Sequence, residues 1–410
     1  MSTLSTFFRS RLAPLAALCV LWVPSALQAQ PSKTTSMVYV ETNAPNNQNA
    51  VLAYRRDTNG KLSLAGSYPT RGSGVFDLSL KLGPFDSDQD ITLNAERTLL
   101  FAVNSGSNTI AVFNVEADGS LVHVSGSPFA SGGSNPVSTG LSRDTLAVVN
   151  KAEDPSQPPG TPNYASFRVT PEGQLSAMLS KTDVQPGISP SQALVSPGMR
   201  VVFGADFLGG LLRSFMVQPD GSLVQTDLQP PPVSESVGGT KPLPLGLSPH
   251  PNRPVLYVGF VTVDKIGVYS YDATGRLTFV RAVANSGKAV CWLRSNADGT
   301  RLYASNTGDS TISVFDTSVP LQPVEIQRYK LKGVGSAFQL TLDPSGEWLY
   351  VVTQRAGAAT PLGQGNTLHV LRVEDNTGRV SEPGFSPVEL PVAPGVRPKG
   401  VAAVQALSGQ

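Results

Sequence analysis

Apolar runs that close on a polar or bulky residue recur along the chain. Val38-Tyr39-Val40-Glu41-Thr42 is the first, followed by Leu100-Phe101-Ala102-Val103-Asn104, Ala147-Val148-Val149-Asn150 and Phe203-Gly204-Ala205-Asp206. Tyr257-Val258-Gly259-Phe260, Tyr303-Ala304-Ser305-Asn306 and Tyr350-Val351-Val352-Thr353 complete the series. Apolar runs this short read as strands buried on both faces. Each run precedes an alternating segment, such as Thr109-Ile110-Ala111-Val112-Phe113 or Thr311-Ile312-Ser313-Val314-Phe315. A period of two with β-branched and aromatic residues marks a further strand. Glycine turns follow in most units (Asn59-Gly60, Asp118-Gly119, Asp220-Gly221), where a hairpin calls for positive φ. An innermost strand leads into each run, as in Ile91-Thr92-Leu93 and Gln339-Leu340-Thr341-Leu342.

Seven such units of about 50 residues predict an all-β fold, a seven-bladed β-propeller of four-stranded antiparallel blades. The first unit lacks its innermost strand, and the tail Lys399-Gly400-Val401-Ala402-Ala403-Val404 is an orphan copy of one. The N- and C-terminal strands are therefore expected to pair and close the ring, which leaves no open blade edge. No linker interrupts the series, so residues 37–405 read as one propeller domain.

Composition agrees. The 39 glycines, 34 prolines and a charged fraction of 15% suit short strands and tight turns, and argue against coiled coil. A net charge of +1 supplies no global field for nucleic acid or an anionic membrane. Arg9 and Arg11 precede an apolar run from Leu12 to Pro24, and Ser25-Ala26-Leu27-Gln28-Ala29 offers small residues for cleavage. Residues 1–29 thus read as a secretory signal cut after Ala29, with 30–36 a short linker. The run falls short of the roughly 20 residues of a membrane span. A lipid anchor at Cys19 is the competing reading, opposed by Leu18 where a small residue is expected. The mature protein is expected to be periplasmic or secreted, monomeric and free of the membrane. It keeps one cysteine, Cys291, so stability must come from a packed core rather than an internal disulfide.

The run from Leu100 to Leu121 (LFAVNSGSNTIAVFNVEADGSL) resembles the seven-bladed lactonase-type propellers, which include 6-phosphogluconolactonases and carboxymuconate-lactonizing enzymes. Cys291-Trp292 and Ser191-Gln192 resemble a secreted bacterial, lactonase-like branch. The resemblance implies hydrolysis of a small, sugar-type lactone, or a carbohydrate-like ligand bound by a propeller that has lost catalysis. Catalytic members carry a His and an Arg near the start of an inner strand and a Glu after a neighbouring one. The histidines here, His123, His250 and His369, fall on an outer strand, in a turn and on a third strand, so none of those roles transfers.

Loop length points to one face. The long connections, Tyr68 to Asp90, Lys151 to Asn163, Gln229 to Pro244 and Arg355 to Asn366, all belong to the two classes that open on the same side of a propeller. Function concentrates on such loops. Polar residues gather where strands reach that side: Glu41, Asn104, Asn150, Asp206 and Asn306 end or adjoin runs, and Lys151, Glu153 and Arg355 follow. Gln89, Gln192, Lys241, Lys288 and Lys399 precede inner strands. Capping of the turn is the plain alternative for the Asn and Asp residues, and a solvated rim charge for the lysines. Lactone opening needs a base and an oxyanion donor. Asp206 and Glu41 are the candidate bases, Lys288 and Arg355 the candidate donors. Gln89, Asn104, Asn150, Gln192, Asn306 and Lys241 are the candidate substrate contacts. No cofactor is expected, with Ca²⁺ at the alternating Asp86, Asp88 and Asp90 left open.

Overall fold

The computed structural model describes residues 35–76, 86–355 and 360–406. The proposed signal, its cleavage site and Cys19 lie outside them. Seven sheets form seven blades. Blade 1 comprises 35–69 with 399–406, and blades 2 to 7 span 91–130, 136–183, 194–229, 244–284, 290–330 and 335–389. Every blade runs antiparallel from an innermost strand outward, and blades 2 and 7 each add a short outer piece. The first strand begins at Thr35, slightly earlier than the repeat pattern predicts.

The second strand of each blade is buried on both faces, which explains its unbroken apolar run. In blade 2, Leu100 and Ala102 turn toward blade 1 and join Met37, Tyr39, Val51 and Ala53. The alternate residues Phe101 and Val103 turn toward blade 3 and join Val148, Ala165 and Phe167. The same division recurs around the ring, so the core is a set of seven inter-blade layers rather than one centre.

Closure follows the expected register. Met37, Val38, Tyr39 and Val40 pair antiparallel with Val404, Ala403, Ala402 and Val401. Val38 and Val40 then pack with Trp348, Tyr350 and Val352 of blade 7, which seals the last interface.

Candidate functional site

The polar ends of the second strands are turn fasteners first. Asn104 Nδ2 donates to Thr109 Oγ1 at 3.0 Å, Asn150 Nδ2 to Asn163 Oδ1 at 3.0 Å, and Asn306 Nδ2 to Thr311 Oγ1 at 3.0 Å. Each satisfies the loop that joins its strand to the next.

The axis of the ring is crossed by the chain itself. Asp86-Ser87-Asp88-Gln89-Asp90, the lead into the innermost strand of blade 2, bonds directly to five other blades or their leads. Asp88 accepts from Arg294 Nη2 of blade 6 at 3.0 Å and from Gln192 Nε2, before blade 4, at 3.2 Å. Gln192 Oε1 in turn accepts from the Leu247 N–H of blade 5 at 2.9 Å. Asp90 pairs with Lys399 Nζ of blade 1 at 2.6 Å and accepts from Gln339 Nε2 of blade 7 at 2.5 Å. The Gln89 backbone carbonyl accepts from the Thr139 N–H of blade 3 at 3.0 Å. Asp88 and Asp90 are thus each answered by a protein cation. Among the described residues no group of three or more His, Cys, Asp or Glu is placed to hold a metal ion.

Glu41 faces this plug from blade 1. Its Oε1 accepts from Asn49 Nδ2 at 2.8 Å, while Oε2 is buried with no hydrogen-bond partner. Burial, then the charge of Asp90, pushes its carboxyl well above the usual range, against the pull of Lys399 and Asn49. Burial likewise pushes the Asp88 carboxyl up against Arg294.

At the long-loop end of the channel a second cluster begins where blade 3 releases its long loop. Lys151 Nζ is fully buried and donates to the Asp86 carbonyl at 2.7 Å. Glu153 Oε2 lies 3.8 Å from that ammonium and accepts from Ser189 Oγ at 3.1 Å. Burial pulls the Lys151 ammonium below its ordinary value, and Asp86 and Glu153 pull it back. The Glu153 side chain keeps 16% of its surface open, so it reaches solvent while Lys151 does not. Cys291 is buried, and burial pushes its thiol up to about 12, which leaves no thiolate for nucleophilic work.

The residues expected from sequence divide. Glu41 and Asn104 meet through Asn49, which donates to both, at 2.8 and 3.0 Å. Gln89 and Gln192 meet at 3.0 Å. Asp206 stands apart: its carboxylate accepts from Arg213 Nε at 2.5 Å and from Tyr164 OH at 3.3 Å. Lys288 is an exposed rim residue paired with Asp264 at 3.0 Å, and Lys241 is exposed beside Thr262. Neither lysine touches Asp206, so the expected base–cation pairing does not form. Arg355 donates from Nε to the Thr360 carbonyl at 2.6 Å within blade 7. Asn150 and Asn306 also tie their turns to the preceding connections, Asn150 donating to the Ser131 carbonyl at 2.9 Å and Asn306 accepting from Asn285 at 2.9 Å. Arg294, Gln339 and Arg213 carry partners that the repeat pattern did not single out. The histidines stay outside the cluster: His123 bonds Pro69 and Ser127, His250 sits in a turn under Asn252, and His369 is buried against Glu382.

Residues 250–388 match the family model described as Lactonase, 7-bladed beta-propeller. No curated protein matches the chain. Among solved structures, a candidate 6-phosphogluconolactonase of Bacteroides fragilis superposes with a TM-score of 0.67 at 13% identity, over 92% of this chain and 99% of that one. The periplasmic gluconolactonase of Pseudomonas aeruginosa gives 0.66 at 17% identity, over 91% and 100%. A hypothetical selenium-binding protein of Sulfolobus tokodaii gives 0.62 at 11% identity, over 92% and 94%. At these identities the likeness is one of fold, and the differing names show that this fold does not fix an activity.

Proposed function

As a lactonase-type seven-bladed propeller, this protein, we propose, is an exported hydrolase that opens a small sugar-type lactone at the long-loop end of its plugged channel. The Lys151–Glu153 pair carries the reading: a solvent-reaching carboxylate beside a buried ammonium, at the mouth of the longest-looped face. Glu153 takes a proton from water as the water oxygen attacks the lactone carbonyl carbon. The buried Lys151 ammonium favours the oxyanion that develops through its charge rather than by contact. Collapse breaks the ring C–O bond, and Glu153 returns its proton to the departing alkoxide, giving the hydroxy acid. Asp86 and Ser189 hold the pair in place through the Asp86 carbonyl and the Ser189 hydroxyl.

Export is supported by the Arg9–Ala29 segment and by the periplasmic gluconolactonase that shares the fold. None of the described residues forms a helix long and apolar enough to cross a membrane. A second reading, a propeller that binds a carbohydrate-like ligand without turning it over, is favoured by the histidines, whose hydrogen bonds go to groups outside the axial cluster. A pH-stat screen of δ- and γ-sugar lactones separates the two. Hydrolysis by the wild type that Glu153→Gln abolishes supports the enzyme. Ligand binding with no acid release supports the binder.

A further inference from the structure

On the face opposite the long loops, a cleft of about 370 Å³ opens between blades 3 and 4. Arg143, Arg168 and Arg200 line it, with Asp144 and Gln218. Asp144 is taken: Arg168 Nη1 donates to it at 2.7 Å, and Arg168 Nη2 donates to the Pro219 carbonyl at 3.3 Å. Arg168 is thereby fixed, while Arg143 and Arg200 have no ionic partner among the described residues. The cleft therefore carries surplus positive charge on planar, multi-donor groups.

Arg143 sits in a tight turn. Ser142 pairs with Thr145, so Arg143-Asp144 is a two-residue hairpin loop. Of the two, only Arg143 has positive φ, at 54°. A loop with positive φ at its first central residue ordinarily takes glycine there. Blade 3 instead holds a long cationic side chain in a backbone state that glycine would adopt without strain.

We propose that this cleft is a binding site for a compact oxyanion, a phosphate or carboxylate group, gripped by Arg143 and Arg200 against the fixed guanidinium of Arg168. Guanidinium forks match such groups bidentately, and charge-assisted bonds of this kind are among the strongest available to a surface cleft. The site is separate from the Lys151–Glu153 cluster and does not depend on lactone hydrolysis.

The test is calorimetric titration of the full mature chain with inorganic phosphate and, separately, acetate, at constant ionic strength so that screening does not mimic binding. Arg143→Gly removes the guanidinium while relieving the backbone, so it should fold at least as well as wild type. Arg200→Ala removes the second. At least one anion should bind the wild type, with affinity falling about tenfold or more in each variant. Arg253→Ala, on the neighbouring cleft, should leave binding unchanged. Phosphate binding alone would identify a phosphoryl site, and acetate binding alone a carboxylate site. Failure of both anions to bind into the tens of millimolar, or binding that survives both Arg143→Gly and Arg200→Ala, would overturn the proposal.

Discussion

Lys399 and Asp90 form an ion pair at 2.6 Å with both side chains fully buried. The strand that closes the ring is thereby fastened to the segment that crosses its axis. Replacing Lys399 by Met strands the carboxylate beside Glu41, itself buried. Removing one partner of a buried pair costs about 3–5 kcal/mol, whereas replacing both is far milder. Urea denaturation should show that loss in Lys399→Met and a partial recovery in Lys399→Met/Asp90→Asn. Equal stability of the single variant and wild type would mean that the pair does not bind the plug to the ring.

The same strand predicts the effect of truncation. Residues Lys399–Ala406 supply the innermost strand of blade 1, so deleting 397–410 exposes the Thr35–Glu41 edge and uncovers the layer around Val38 and Val40. The truncated chain should melt well below the full-length protein in a broadened transition. A coincident melting curve would contradict closure by the tail.

Closure was legible because it is a matter of counting. Seven apolar runs faced six complete inner-strand leads, and the tail supplied the missing one. The ends of those runs were legible as polar positions too, and Asn104, Asn150 and Asn306 do fasten turns. The cluster on the axis was not legible in the same way. Asp88 and Arg294 are joined only because the lead into blade 2 crosses the channel, and no local periodicity encodes the path of an irregular segment. Asp206 illustrates the converse. It occupies a repeat position held by Asn in sister blades, which suggested spare charge, yet Arg213, one strand away, answers it.

That pairing carries a pH dependence. Burial pushes the Asp206 carboxyl from 3.8 up to about 6, although Arg213 and the Tyr164 hydroxyl act in the opposite direction. The folded state therefore holds the proton more tightly than the unfolded chain. The associated stability is present in full below the unfolded value and is lost as pH rises through about 6. Asp206→Asn removes this titration. Urea midpoints of the variant relative to wild type should rise between pH 4 and pH 7, and a difference that stays flat across that range would refute the assignment.

Glu382 should behave with the opposite sign. Burial raises its carboxyl, but the hydrogen bond and charge of His369, with the Ser386 hydroxyl, outweigh burial and hold it below the ordinary value. A depressed carboxyl gives stability above the unfolded pKa that disappears as pH falls through the folded one. Glu382→Gln should therefore be most destabilising near neutrality and approach wild type below roughly pH 4. Denaturation at pH 7 and pH 3.5 reads this directly. A penalty that grows on acidification would count against the His369–Glu382 pair as its source.

The two carboxylates that compete for the role of base can be separated by their surroundings. Glu41 is sealed in the channel wall, with burial and the neighbouring Asp90 favouring its neutral form. Its uncharged isostere should therefore be tolerated: in Glu41→Gln the amide oxygen still accepts from Asn49, as Oε1 does now. Glu153 is half-buried, reaches solvent and has an ammonium 3.8 Å away. If it takes the proton from water, Glu153→Gln should lower kcat on the order of 10²-fold or more. KM should change little, because the amide keeps the shape of the site. Lys151→Met should also lower kcat, because the charge that favours the oxyanion is lost, and its stability should be followed in parallel because the ammonium is buried. Steady-state hydrolysis of a sugar lactone by the three variants decides the matter. Retained turnover in Glu153→Gln together with its loss in a folded Glu41→Gln would move the base from the rim of the channel to its axis.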